Sequence, residues 1–126
     1  METTDRRKHP RVEVRSSISY VCVDKDGDLV DQHMGVALNI SQTGVLLETR
    51  RQLESNFISL MFVDLEEMLI EISGEIVYCR ENDSSMYLNG IRFLGSYEEN
   101  IQFTTKLIRA YHYRKSDFLL VLGVNA

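Results

Sequence analysis

Apolar residues recur at every second position in the first third of the chain. From Val12 to Val23 they fall mostly on even positions, with charged residues and serines between them. A period of two is typical of a β-strand that has one buried and one solvated face. Residues 24–28 have the Asp and Gly content of a turn, and the alternation then resumes from Met34 to Ile40. The pattern predicts two antiparallel strands joined by a tight hairpin.

Four further strands are predicted in the centre of the chain. Residues 44–49 and 57–63 are short, mostly apolar runs, and residues 70–78 alternate again, with a kink expected near Gly74. After a polar loop, residues 87–94 complete the series. Six short strands separated by turns favour a barrel or a sandwich over a parallel sheet.

A helix is predicted after the last strand. Ser96 and Glu99 have the spacing of a capping box, in which each residue satisfies a free amide of the first helical turn. We expect the helix to cover residues 96–115 and to pack one side on the strands. The apolar stripe on that side is imperfect and consists of Ile101, Leu107, Ile108 and Tyr111.

Length and composition indicate a single domain. The chain has 126 residues, of which 44% are apolar, enough for one core. We divide it into an N-terminal arm (1–11), the strand region (12–95), the helix (96–115) and an apolar tail (116–126). The longest uncharged apolar stretch, 118–124, is well short of the roughly 20 residues of a membrane span. We therefore expect no membrane span and a cytoplasmic protein.

The charge distribution points to a small anionic ligand. The net charge of −5 argues against a nucleic-acid polymer as partner, because such binding needs many cations on phosphates. A local cationic patch on an acidic body suits a small anion better. The basic residues among the first 15 are Arg6, Arg7, Lys8, Arg11 and Arg15.

Two polar segments stand out from this pattern, one before the first strand and one between the second and third. Arg7 and Arg11 lie in the first, where Pro10 disfavours a helix. An arginine fork can bind either a phosphate or a guanine edge with two hydrogen bonds. The second segment, Asn39–Gly44, offers a side-chain carbonyl and a hydroxyl, and its glycine would permit the backbone bend.

The combination of these segments resembles the PilZ domain family. That family pairs an Arg-x-x-x-Arg motif with a later Asp/Asn-x-Ser-x-x-Gly motif. Residues 89–93 also resemble the Gly-x-x-Phe strand that ends the family's barrel, and the likeness extends over roughly residues 5–114. It implies an all-β fold, a six-stranded antiparallel barrel of the split-barrel type with a C-terminal α-helix. The matching motif residues are Arg7, Arg11, Asn39, Ser41 and Gly44.

The resemblance implies a bacterial receptor for the second messenger cyclic di-GMP (c-di-GMP). Such a receptor has no cofactor; it changes conformation on binding and signals to a protein partner, which the sequence does not identify. A basic residue at Arg6 goes with two stacked ligand molecules in the family, so a stoichiometry of one or two stays open. The alternative is a ligand-blind PilZ-like scaffold that works only through protein contacts. The implied ligand-binding residues are Arg6, Arg7, Arg11, Asn39, Ser41 and Gly44.

Three further residues are weaker candidates for the ligand site. Tyr78 and Arg80 lie where related domains place an aromatic residue near a guanine face. Strand alternation nevertheless puts Tyr78 on the buried side unless a bulge intervenes, so core packing is the prediction for it. Gly90 would allow a close backbone approach.

The residues give little support to other functions. Ser41 has no assignable His or Lys base, so no catalytic residue and no enzyme activity are expected. Cys22 and Cys79 form no CxxC pair and the chain has three histidines, so no metal site is expected. A barrel that binds single-stranded nucleic acid is disfavoured by the acidic charge and the absence of Trp. The acidic residues Asp64, Glu66, Glu67 and Glu71 are assigned to a solvated loop, and Cys22 to the core.

Overall fold

The alternating segments form six antiparallel strands that close into a barrel, followed by one helix. The computed structural model describes residues 10–121, apart from the side chains of Asp31 and of residues 116–121. Around the barrel the strand order is β1-β2-β3-β6-β5-β4, and β4 pairs back with β1. The predicted all-β barrel with a C-terminal helix is confirmed. The elements are β1 (Val12–Val23), β2 (Leu29–Ile40), β3 (Gly44–Thr49), β4 (Phe57–Val63), β5 (Leu69–Glu81), β6 (Tyr87–Phe93) and α1 (Tyr97–Val121).

The core lies inside the barrel, where the inward-facing residues of the strands meet. On β1 the buried positions alternate from Val14 to Tyr20, as the period of two predicts. Each strand has a hydrogen-bonded neighbour on both sides, although β1 meets β4 only from Ser19 to Val23. The core strand residues with 1% exposure or less are Ile18, Ala37, Ile40, Leu47, Ile58 and Leu60.

The helix begins as predicted and ends later than predicted. The Ser96 amide donates to Glu99 Oε1 over 2.8 Å, and the Glu99 amide donates to Ser96 Oγ over 3.1 Å. These hydrogen bonds lower the pKa of Glu99, and the bond from the Ser96 amide contributes most. The helix continues to Val121 instead of ending at residue 115. No glycine or proline interrupts the sequence between Gly95 and Gly123, so no helix-ending residue occurs where the tail was expected to start.

Helix α1 closes one end of the barrel. Phe103 is 1% exposed and packs edge-to-face on Phe62 and Phe93, with ring centroids 5.2 and 5.4 Å apart. Leu107 and Ala110 are also buried against the core. The predicted stripe placed Leu107 correctly but omitted Phe103, the largest side chain of the contact. Among the described residues, no helix is long and apolar enough to cross a membrane.

The acidic loop between β4 and β5 is not simply solvated, because Asp64 is buried. The residue is 6% exposed, and Oδ1 accepts hydrogen bonds from the amides of Glu66 and Met68, both over 2.9 Å. Lys106 of α1 lies 3.6 Å from the other carboxylate oxygen. The hydrogen bond from the Met68 amide contributes most to lowering the pKa of Asp64. The expectation of a solvated carboxylate was wrong here, since the carboxylate organises the turn and meets the helix.

Candidate ligand-binding site

The turn between β2 and β3 is held by its own hydrogen bonds. The Ser41 amide donates to the Gly44 carbonyl over 2.9 Å, and Ser41 Oγ accepts from the Thr43 amide over 3.2 Å. Ser41 is 4% exposed, and its hydroxyl lies 3.1 Å from that of Thr43. The serine of this motif therefore shapes the turn from within rather than facing solvent.

Gly44 is needed for a close strand approach. Its φ is outside the left-handed region, so the bend does not require glycine. A Cβ at this position would collide with the carbonyl oxygen of Ile91 on β6. The sequence-based reason for the glycine was therefore wrong: a side chain would force β3 and β6 apart.

The structure brings the two sequence motifs together. Arg11 Nη1 donates to Asn39 Oδ1 over 3.3 Å, across 28 positions of sequence. Both residues lie where β1 begins and β2 ends, since Val12 pairs with Ile40. Arg6 and Arg7 lie outside the described residues. Among the described residues, Arg11 therefore places the arginine motif beside the turn.

A bulge turns Asn39 away from the core. Ala37 points inward and is fully buried, so strict alternation would also point Asn39 inward. The pairing of β2 with β3 skips Leu38, however, because Ala37 pairs with Leu47 and Asn39 with Leu46. The extra residue reverses the phase of the strand, and the Asn39 side chain reaches Arg11 on the outside.

Tyr78 is turned outward in the same way. Ile76 pairs with Ile91 and Tyr78 with Gly90, so the pairing of β5 with β6 skips Val77. Tyr78 is 43% exposed, and the prediction that it packs in the core was wrong. A kink was expected near Gly74, whereas the register shift of β5 lies between Ile76 and Tyr78.

Gly90 makes room for the ring of Tyr78. A Cβ on Gly90 would collide with the ring carbons of Tyr78, so the ring lies over the bare backbone of β6. The close approach expected at Gly90 is present, and the approaching group is this side chain. The Tyr78 ring therefore packs at Gly90 on the outside of the barrel.

Strand pairing connects these residues into one row across the barrel exterior. Asn39 pairs with Leu46, Leu46 with Gly90, and Gly90 with Tyr78. The three strand-to-strand steps span about 14 Å, at a spacing of about 4.8 Å per step. The row therefore runs from a polar end at Arg11 and Asn39 to an aromatic end at Tyr78, and we call these residues, with Leu46 and Gly90, the exterior row.

Two arginines lie near the exterior row, one in an ion pair and one exposed. Arg92 pairs with Gly44 across β3 and β6, and its Nη2 donates to Glu75 Oε1 over 2.8 Å. Arg80 is exposed, two residues beyond Tyr78 on β5. Arg92 was not among the predicted site residues, although it lies within residues 89–93, because only strand pairing places it next to Gly44.

A separate cavity lies elsewhere and is lined by none of the motif residues. It has a volume of about 840 Å³ and lies at the far end of β1, where the residue 51–57 loop faces the β1–β2 hairpin. Burial raises the pKa of both Tyr20 and Cys22, which line it. Cys22 is half-buried at its wall, so the core assignment of this residue holds only in part. The motif geometry, rather than cavity volume, locates the candidate site.

Comparisons with known proteins agree with the observed fold. The sequence profile of the PilZ domain matches residues 5–110. The PilZ domain with c-di-GMP of YcgR from Escherichia coli has TM-score 0.62 and 12% identity, covering 90% of this chain and 96% of that one. Bacillus subtilis MotI/DgrA, an inhibitor of motility, has TM-score 0.61 and 14% identity, covering 86% and 53%. A comparison with curated protein sequences finds no match.

A third similar structure is the MrkH–c-di-GMP complex of K. pneumonia. It has TM-score 0.58 and 18% identity, covering 83% of this chain and 52% of that one. This chain thus spans about half the length of MotI/DgrA and MrkH. At such identities the likeness concerns the fold. The profile match over most of the chain, together with the motif residues and the closed barrel, shows that this protein belongs to the PilZ domain family.

Proposed function

We propose that this chain is a cytoplasmic c-di-GMP receptor without enzymatic activity. The dinucleotide would bind on the outside of the barrel, between the arginine motif and the Asn39–Gly44 turn, and extend along the exterior row. The observation that carries the proposal is the 3.3 Å contact between Arg11 and Asn39, which joins the two motifs at the polar end of that row. The c-di-GMP complexes among the similar structures support the choice of ligand.

The chemistry of the ligand matches the polar end of the row. c-di-GMP carries two phosphodiester charges and two guanines whose O6 and N7 are acceptors. An arginine fork has five N–H donors, so Arg11 can bond Asn39 and still bind the ligand. Charge-assisted hydrogen bonds contribute about 1.5 to 3 kcal/mol each. Arg7 and Arg11 together would supply the larger part of the affinity, and Arg6 would contact a second ligand molecule if two are bound.

The aromatic end of the row suits a purine base. The Tyr78 ring is exposed and supported by Gly90 beneath it, so one face is free to stack. Stacking of a base on an aromatic side chain contributes about 1 to 3 kcal/mol. Arg80 would lie near the same base or its phosphate. We therefore assign Tyr78 to the ligand and not to the core.

The motif residues of the turn act mainly through its shape. Ser41 is buried and bonded to Thr43, while Gly44 keeps β3 close to β6. The Asn39 carbonyl would accept from the guanine N1 and N2 donors. Binding would join the N-terminal segment to this turn, and the altered surface would signal to a protein partner that is still to be identified.

Calorimetric titration of the full chain with c-di-GMP tests the proposal. We expect micromolar or tighter binding, with affinity reduced by about tenfold or more in Arg7→Ala and in Arg11→Ala, which corresponds to at least about 1.4 kcal/mol. Arg50→Ala is the matched control, because this exposed arginine follows β3 at the opposite end of that strand from Gly44. The same titration gives the stoichiometry.

Three results would contradict the proposal. Parent-like binding in both arginine variants would remove the mechanism, and no heat with the parent chain would favour the ligand-blind scaffold. Recovery of unmodified c-di-GMP after long incubation is expected for a receptor, and conversion to a linear product would show an enzyme instead.

A further inference from the structure

The turn at the polar end of the exterior row is bonded to helix α1. Thr104 Oγ1 donates to the Ser41 carbonyl over 2.8 Å, between residues 63 positions apart. Thr104 is 6% exposed and Ser41 is 4% exposed, so the bond is shielded from water. A buried carbonyl that loses its donor carries a free-energy cost, because no solvent replaces the bond.

Hydrogen bonds hold this turn from within, from β6 and from α1, and Thr104 supplies the bond from outside the sheet. Within the turn, the Ser41 amide is bonded to the Gly44 carbonyl. From β6, the Phe93 amide donates to the Thr43 carbonyl over 2.8 Å. The Thr104 bond fixes the first peptide group of the turn, directly after Asn39 and Ile40 on β2.

The neighbouring helix residue strengthens this connection. Phe103 packs edge-to-face against Phe93, whose amide holds the turn from β6. Consecutive residues of α1 therefore contact the turn directly, through the Thr104 bond, and the β6 residue that supports it, through the Phe103 ring. A shift of the turn relative to the barrel end must break or move these contacts.

We propose that Thr104 is a positioning residue of the ligand site and that it couples occupancy of the turn to helix α1. The inference rests on the proposed function and deepens it by naming the element that responds to the ligand. Coupling of this kind is reciprocal: if the helix contact favours the ligand-binding shape of the turn, bound ligand stabilises the helix contact equally.

Titration of four full-length variants with c-di-GMP tests the positioning role. Thr104→Val keeps the shape of the side chain and removes the donor, so affinity should fall by about fivefold to tenfold. Thr104→Ser keeps the hydroxyl and should bind within about twofold of the parent chain, as should Thr105→Val, the same exchange on the exposed face. Ala110→Gly, away from Ser41, should lower stability by about 1 to 2 kcal/mol through helix propensity and the loss of a buried methyl group, and it separates stability from positioning.

The proposal is overturned if Thr104→Val binds as the parent does, if Thr104→Ser is weakened equally, or if Ala110→Gly has the same effect as Thr104→Val. Unfolding curves of each variant check that all four are folded during the titration. If Thr104 only supports the fold, c-di-GMP affinity should fall in step with the unfolding free energy across the four variants. If Thr104 positions the turn, affinity should depend instead on the hydroxyl at residue 104.

Amide hydrogen exchange separates this inference from the proposed function. Without ligand, Thr104→Val should speed exchange of the Ser41, Thr43 and Phe93 amides by about fivefold, relative to Thr105→Val. With saturating c-di-GMP, amides of α1 should slow in the parent chain and not in Thr104→Val. If the parent chain binds no c-di-GMP, the proposed function fails, while unchanged exchange at these three amides refutes the positioning role itself.

Discussion

Three hairpin turns of the barrel share one arrangement of side-chain and backbone atoms. Asp24, Asp64 and Asn82 each accept, through Oδ1, the amides two and four residues later. The third residue after each has a positive φ. That position is glycine in the first turn, Gly27 with φ 82°, but Ser85 in the last, with φ 61°. A non-glycine residue in this region carries a cost of about 1 to 2 kcal/mol.

Ser85→Gly should therefore stabilise the protein. The relief of backbone strain exceeds the entropy of the extra glycine in the unfolded chain, and the unfolding free energy should rise by about 0.5 to 1 kcal/mol. Ser84→Gly is the matched control one residue earlier, where φ is not positive, and it should lower stability by about 0.5 to 1 kcal/mol. Urea unfolding measures both, and equal effects of the two variants would contradict the explanation.

The Asp64 carboxylate makes stability depend on pH in the acid range. Its folded-state pKa is lowered, first by the Met68 amide, so the unfolded chain binds more protons once pH falls below about 4. The stabilisation is complete above the pKa of the unfolded chain and is lost as pH falls through that of the folded chain. Asp64→Asn, with an amide oxygen like that of Asn82, should show a shallower decline of the unfolding free energy below about pH 4. An unchanged acid slope would show that this carboxylate does not contribute.

At the scale of the elements, two bulges decide what the strands present to solvent. Leu38 on β2 and Val77 on β5 are the residues that the pairing skips. Each reverses the phase of its strand just before a residue of the exterior row, Asn39 or Tyr78. The alternation that indicates a strand does not reveal such a reversal, because the extra residue is defined only by the partner strand.

The Tyr78–Gly90 contact predicts a coupled pair of substitutions. Gly90→Ala should lower the unfolding free energy by about 1 to 3 kcal/mol, because its Cβ collides with the Tyr78 ring. In a Tyr78→Ala background the same substitution should cost less, and the coupling in a double-mutant cycle should reach about 0.5 kcal/mol or more. Chemical unfolding of the four proteins measures it. Additive effects would indicate that Gly90 is required for another reason.

At the scale of the whole molecule, the helix and the barrel share one core. Phe103 of α1 packs on Phe62 and Phe93, so the closed barrel is completed by an element that lies outside its sheet. Asp64 and Ser41 add polar contacts to the same helix. The barrel end and α1 should therefore unfold as one cooperative unit.

Phe103→Ala tests this shared core. Removal of the Phe103 ring should lower the unfolding free energy by about 3 to 5 kcal/mol. The helical circular-dichroism signal and the tyrosine fluorescence should then shift together in one transition. Tyr113→Ala on the same helix is the control, because Tyr113 is 60% exposed and should change stability by about 0.5 kcal/mol or less. Two separate transitions in Phe103→Ala would show that helix and barrel are independent.

The sequence alone determined the strands, the capped start of the helix and the two motifs. These features depend on local order: alternation selects a half-buried strand, and Ser96 and Glu99 are close enough in sequence to cap a helix. Tertiary structure decided which way Asn39 and Tyr78 point and that Asp64 is buried. It also decided the Thr104–Ser41 bond, because strand register and helix docking bring together residues that are far apart in the chain.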